Sequence, residues 1–213
     1  GAKVHNAAKT TTGAVSFMDL YSMATGLIGQ KGRRGALMIS MDVNHPDIED
    51  FIDIKTDLDR VTKANISVRI NDEFMKAVLN KTMYECKFIV DSGREVITKE
   101  VDAHKLFMKL ITNNWDFAEP GILFWDNIEN NHLLSADKEF KYAGINPCAE
   151  EPLPAGGSCL LGSINLSEFV TEPFTQHAKF DNDKFKECVR DCVVGLNEVL
   201  EEGLLLHPLQ QQK

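Results

Sequence analysis

The sequence predicts an α/β fold in which a largely parallel sheet is covered by helices. Two observations carry this. Helical and strand periodicities alternate along most of the 213 residues. Strand candidates such as "ALMISMDV" and "GILFWD" are nearly apolar on both faces, the pattern of strands buried between helices. A closed barrel and an open sheet satisfy this pattern equally. No internal repeat, low-complexity tract or linker breaks the chain, so residues 1–213 read as a single domain piece.

The elements follow in order. Ser16 and Asp19 have the spacing of a capping box, and Phe17, Leu20, Tyr21, Ala24, Leu27 and Ile28 share the face expected to be buried. Gly29 and Gly32 punctuate the end of this helix before the strand "ALMISMDV". His45-Pro46 opens a short helix with Ile48, Phe51 and Ile52 inward. "KTDLDRVTK" (Lys55–Lys63) is polar and aperiodic, hence a loop. "NISVRIN" alternates, with Ile66, Val68 and Ile70 on one face. Asn71 caps a helix with Phe74, Met75, Val78 and Leu79 inward, and "YECKFIVDSGREVITKEV" reads as a hairpin turning at Ser92-Gly93. Asp102 caps a helix with Leu106, Phe107, Leu110 and Ile111 inward. After "GILFWD", "SCLLGSINL" reads as a strand, and a last helix presents Phe185, Val189, Val193, Leu196 and Leu200.

Composition narrows the function classes. A hydrophobic content of 43% with 26% charged residues is that of a globular protein. A net charge of −9 disfavours a broad nucleic-acid surface. No apolar run has bilayer length and the start shows no secretory pattern, so no membrane role is expected and a cytoplasmic location is. The five cysteines include no CxxC and no zinc spacing, so no metal site is expected. "QKGRRG" (Gln30–Gly35) is either a phosphate cradle or a plain Gly-rich turn between helix and strand.

The segment "NPCAEEPLPAGGSC" carries the chemistry. Pro147 pushes Asn146 out of the α region, and in extended backbone residues two apart project together. Asn146, Cys148 and Glu150 are therefore expected in one row of amide, thiol and carboxylate. A lone cysteine is most often a small core hydrophobe, and Asn-Pro is a common turn opener. The neighbouring acid raises a thiol's pKa and so disfavours nucleophilic catalysis. It leaves hydrogen-atom chemistry, which uses a neutral S–H or a thiyl radical.

Asn146-x-Cys148-x-Glu150 followed by a Gly turn and Cys159 resembles the finger loop of ribonucleotide reductase catalytic subunits. "TTGAVSFMDLYSMATGLIGQKGRRGALMISMDVNHPDIEDFI", "VTKANISVRINDEFMKAV", "EPGILFWDNIENN" and "VVGLNEVLEEGLLLHPLQQQK" resemble that family in the same order. The resemblance implies a portion of a ten-stranded α/β barrel with a finger loop, truncated at both ends and inactive alone. It implies a transient thiyl radical on Cys148 that takes the ribose 3′ hydrogen, Glu150 as base for the 3′-hydroxyl, and Asn146 on the substrate hydroxyls. Cys159 would be half of a redox dithiol whose partner lies upstream of Gly1, with thioredoxin or glutaredoxin as reductant. Cys188, Cys192 and Cys86 are assigned to packing.

The resemblance further implies dNTP or ATP effectors. The loop Lys55–Asn65, through Asp57, Arg60 and Lys63, is matched to the specificity loop, and "GAKVHNAAKTTTG" to the other effector loop. It implies a homodimer and, from "RRGAL", "NHPDIEDFI" and "AEEPLPAGGSCLLGSINL", the adenosylcobalamin-dependent branch, with the cofactor bound outside this piece. A di-metal radical subunit is the alternative. Rival readings are a glycyl-radical enzyme barrel fragment and a non-catalytic nucleotide-binding domain.

Overall fold

In a computed structural model, the structure describes residues 2–4, 7–28, 35–90, 95–134 and 136–203. Most of "QKGRRG", the hairpin tip Ser92-Gly93 and the terminal "LLLHPLQQQK" lie outside the described residues. The chain forms two compact units, Gly1–Pro154 and Ala155–Lys213.

In the first unit, α1 (Ser16–Leu27) is followed by β1 (Met38–Asp42), α2 (Ile48–Asp53), β2 (Asn65–Ile70) and α3 (Asp72–Asn80). A hairpin of β3 (Met83–Ile89) and β4 (Val96–Asp102) leads to α4 (Ala103–Phe117), β5 (Gly121–Phe124) and α5 (Trp125–Asn130). β1, β2 and β5 form a parallel sheet with β2 in the centre. As a central strand, β2 buries Ser67 as well as Ile66, Val68 and Ile70. Gly121 of β5 sits so close to β2 that a Cβ there would lie 2.8 Å from Ser67 Oγ. Ile48, Phe51 and Ile52 of α2, Phe74 of α3, and Leu106 and Leu110 of α4 complete one core with β2. The described residues form a three-stranded parallel sheet; they show no closed barrel and no ten strands.

Two caps form as the sequence predicts. Asn71 Oδ1 accepts Phe74 N at 2.8 Å, and Asp102 Oδ1 accepts Lys105 N at 3.0 Å. The Ser16 capping box does not form: Val15 occupies the cap position, and Ser16 Oγ donates to Gly13 O. The apolar face of α1 is also turned outward. Leu20 is 55% exposed and Leu27 79%, whereas Met18 and Ser22 are buried. Ser22 tolerates burial because its Oγ accepts Lys63 N at 2.9 Å. Leu79 and Ile111, expected inward, are exposed for the plainer reason that each lies at the edge of its helix's buried stripe.

In the second unit, residues 157–165 are irregular, and the strand expected at "SCLLGSINL" is absent. A strand exists only against a ladder partner, and no described strand pairs with this segment. A short hairpin of β8 (Val170–Thr171) and β9 (Lys179–Phe180) precedes α6 (Asn182–Glu202), capped by Asp181, whose Oδ1 accepts Lys184 N. Cys188 and Cys192 lie on α6 but are only half-buried, and no residue of α6 is fully buried. Their assignment to a packed core does not hold among the described residues.

Candidate active site

Between β5 and the end of the first unit, β6 (Tyr142–Ile145) and β7 (Pro152–Pro154) pair antiparallel. The segment joining them carries Asn146, Cys148 and Glu150. It is a tight turn, not the extended row expected from the sequence. Ala149 N donates to Asn146 O at 3.0 Å, closing a four-residue turn with Pro147 in its second position. Asn146 Oδ1 accepts both Glu150 N and Glu151 N at 3.0 Å, and Asn146 N donates to Glu151 O at 3.1 Å. Ala149 takes a positive φ of 66° to complete the reversal. The extended row fails because the Asn146 side chain offers the backbone better partners than a strand would.

The turn changes what each residue can offer. Asn146 spends its amide oxygen on the loop backbone, so its Nδ2 is the end left to face a ligand. Cys148 is exposed, in contrast to Cys86, whose Sγ is fully buried and donates to Val43 O. Burial pushes the Cys86 thiol up to about 11, partly offset by Lys99 and reinforced by Glu49. Cys86 is thus an inert core thiol and Cys148 an accessible one. Cys159, in the second unit, is also exposed.

Among the described residues, one hydrogen bond ties the turn to the sheet. Asn65 Nδ2, on the first residue of β2, donates to Pro147 O at 2.7 Å. Around Asn65 lies a latch that sequence reading missed. Lys55 Nζ donates to Val61 O and Ala64 O, both at 2.8 Å, and pairs with Glu119 Oε2 at 2.8 Å. Glu119 Oε1 in turn accepts Ile66 N at 2.9 Å. Lys55 so uses all three of its donors. A cavity of about 310 Å³ beside it is lined by Lys55, Lys63, Ala64, Asn65 and Glu119, among others. No local signal marks these residues, because the partners lie far apart in sequence.

The three loop residues matched to effector binding are dispersed. Arg60 is ion-paired with Asp19 of α1, which raises its pKa. Asp57 faces a second cavity, of about 400 Å³, that also presents Asp50, Asp53 and Arg60. Those three carboxylates repel a phosphate. Lys63 lines the cavity beside Asn65 instead. No cluster of three or more metal-ligating side chains occurs among the described residues, and no described helix is long and apolar enough to cross a membrane.

The described residues thus place an exposed thiol on a hairpin turn that is tied to the central strand of a parallel α/β sheet. The family described as "Ribonucleotide reductase, barrel domain" matches residues 1–213. The chain belongs to this family. It is 33% identical over 204 residues to the Thermoplasma acidophilum "Vitamin B12-dependent ribonucleoside-diphosphate reductase", covering 95% of this chain and 25% of that protein. It is 35% identical over 213 residues to the "Vitamin B12-dependent ribonucleotide reductase" of Streptomyces avermitilis (87% of this chain, 21% of that protein). The Mycobacterium tuberculosis (H37Rv) B12-dependent ribonucleoside-diphosphate reductase is 32% identical over 203 residues, covering 94% of this chain and 27% of that protein. The chain thus spans about a quarter of the length of the curated relatives it matches.

Proposed function

We infer that this chain is the finger-loop portion of a ribonucleotide reductase, which converts ribonucleotides to 2′-deoxyribonucleotides by thiyl-radical chemistry. The observation that carries it is the exposed Cys148 on a turn with Asn146 and Glu150, within a chain matched throughout by the family.

In this reading a radical on the Cys148 sulfur takes the 3′ hydrogen atom of the ribose, regenerating S–H. Glu150 accepts the 3′-hydroxyl proton, a task for an ionised carboxylate within hydrogen-bond reach. Asn146 Nδ2 holds substrate hydroxyls while its Oδ1 shapes the turn. The 2′-hydroxyl leaves as water with a proton from the dithiol of Cys159 and a second thiol. That dithiol supplies two electrons and two protons in all and ends as a disulfide, which a thioredoxin or glutaredoxin then reduces. The Cys148 S–H finally returns its hydrogen atom to C3′, which completes the deoxyribonucleotide and restores the thiyl radical. The names of the relatives support adenosylcobalamin, a cofactor of radical chemistry, as the radical source. We assign none of the described residues to it. Effector control by dNTP or ATP through the loop Lys55–Asn65 belongs to the same proposal. Lys63 is its best-placed cation, since Arg60 is shared with Asp19. A homodimer is proposed from the family resemblance alone.

The test is Cys148→Ser in the full-length reductase. Reduction should be abolished with effector affinity unchanged; turnover within tenfold of the parent would end the thiyl assignment.

A further inference from the structure

Among the described residues, the turn Asn146–Glu151 spends its hydrogen bonds on itself, with one exception. Asn146 N, O and Oδ1 all pair within the turn. The exception is Pro147 O, which accepts Asn65 Nδ2 at 2.7 Å across 82 residues. That carbonyl shares a rigid peptide plane with the nitrogen and Cα of Cys148. Fixing it therefore fixes where the thiol-bearing Cα sits.

Asn65 is itself held on both sides. Its own N–H donates to Leu37 O at 2.8 Å. The preceding carbonyl, of Ala64, is held by Lys55 Nζ, and the following N–H, of Ile66, by Glu119. The Lys55–Glu119 pair is largely withdrawn from water, at 13% and 24% exposure. A continuous path thus runs from this charge pair through the start of β2 and one amide to the peptide before Cys148.

We propose that Asn65 is a positioning residue for the Cys148 turn, setting the sulfur relative to the substrate. The inference rests on the thiyl reading of Cys148 above. Its role requires a donor at this reach. Aspartate has the same shape but would set an oxygen against the Pro147 oxygen, and leucine offers nothing. Hydrogen-atom transfer needs the sulfur at attack distance, and a misplacement of about 1 Å costs on the order of 10²-fold in rate.

The test uses Asn65→Leu and Asn65→Asp in the full-length reductase, read by amide hydrogen exchange and by steady-state kinetics. Protection of the amides of Ala149, Glu150 and Glu151 should fall at least about fivefold in both variants, with protection of Ile66–Ile70 and of α4 unchanged. kcat should fall about 10- to 100-fold with KM within about threefold of the parent. Unchanged protection in the turn would overturn the proposal. So would lost protection with an unchanged kcat, or loss spread into β2, which marks strand damage. If Cys148→Ser turned over normally, the thiyl reading would fail by itself, while the exchange data would still decide whether Asn65 holds the turn.

Discussion

Replacing Lys55 with methionine removes the cation from the latch and keeps an apolar stem one atom shorter. The lysine makes three contacts at 2.8 Å, two to carbonyls and one to Glu119. Breaking a buried pair by removing one partner costs about 3–5 kcal/mol, mostly from the charge left behind. Glu119 retains one stabilising bond, from Ile66 N. Its 24% exposure also lets water reach the stranded carboxylate, so we lower the figure to about 2–4 kcal/mol. At about 1.4 kcal/mol per decade, local opening around residues 61–66 should rise roughly 30- to 700-fold. Native-state hydrogen exchange on peptides spanning 61–70 reads this directly, without assuming two-state unfolding of a long chain. Adding Glu119→Gln removes the stranded charge and keeps an oxygen for Ile66 N, so the double variant should recover at least about 1 kcal/mol. A change below threefold in Lys55→Met, or a strictly additive double variant, would refute the latch.

Cys86 should make the protein sensitive to alkali. Burial holds its pKa in the fold at about 11, against an ordinary value of 9.0 for an exposed cysteine. A raised pKa contributes stability that is intact below the unfolded value and is lost as pH climbs toward the folded one. The rise from 9.0 to about 11 corresponds to roughly 2–3 kcal/mol. Wild type should therefore lose more urea resistance than Cys86→Val between about pH 8.5 and 10.5, and parallel curves would contradict the buried-thiol account. Cys159→Ala should stop thioredoxin-driven turnover, the first cycle included, because the dithiol that supplies the two electrons is then incomplete. A small thiol reductant able to enter the site should restore some product; normal thioredoxin-driven turnover would remove Cys159 from the redox pair.

Local features were legible in the sequence because their partners are close by. Asn71 and Asp102 cap helices within three residues of themselves, and the inward residues of α2 repeat at helical spacing. The α1 face was misjudged because periodicity tells which residues share a face and not which way it turns. There a distant amide, Lys63 N, made a serine the better residue to bury. "SCLLGSINL" has the composition of a strand, but composition cannot supply the neighbouring chain that makes one.

The Cys148 segment shows the same division more sharply. Alternation put amide, thiol and acid on one side of an extended strand, while Asn-Pro signalled a turn, and the turn is what forms. The two signals compete for one group, the Asn146 oxygen, which caps Glu150 N and Glu151 N. Once that oxygen is committed, the direction of the thiol no longer follows from the pleat of a strand. It follows from the turn's conformation and from whatever holds the turn against the sheet. The one hydrogen bond that does so among the described residues comes from Asn65, 82 positions away. The residue types needed for the chemistry are therefore local and readable, whereas their aim is set by a contact that no local pattern encodes.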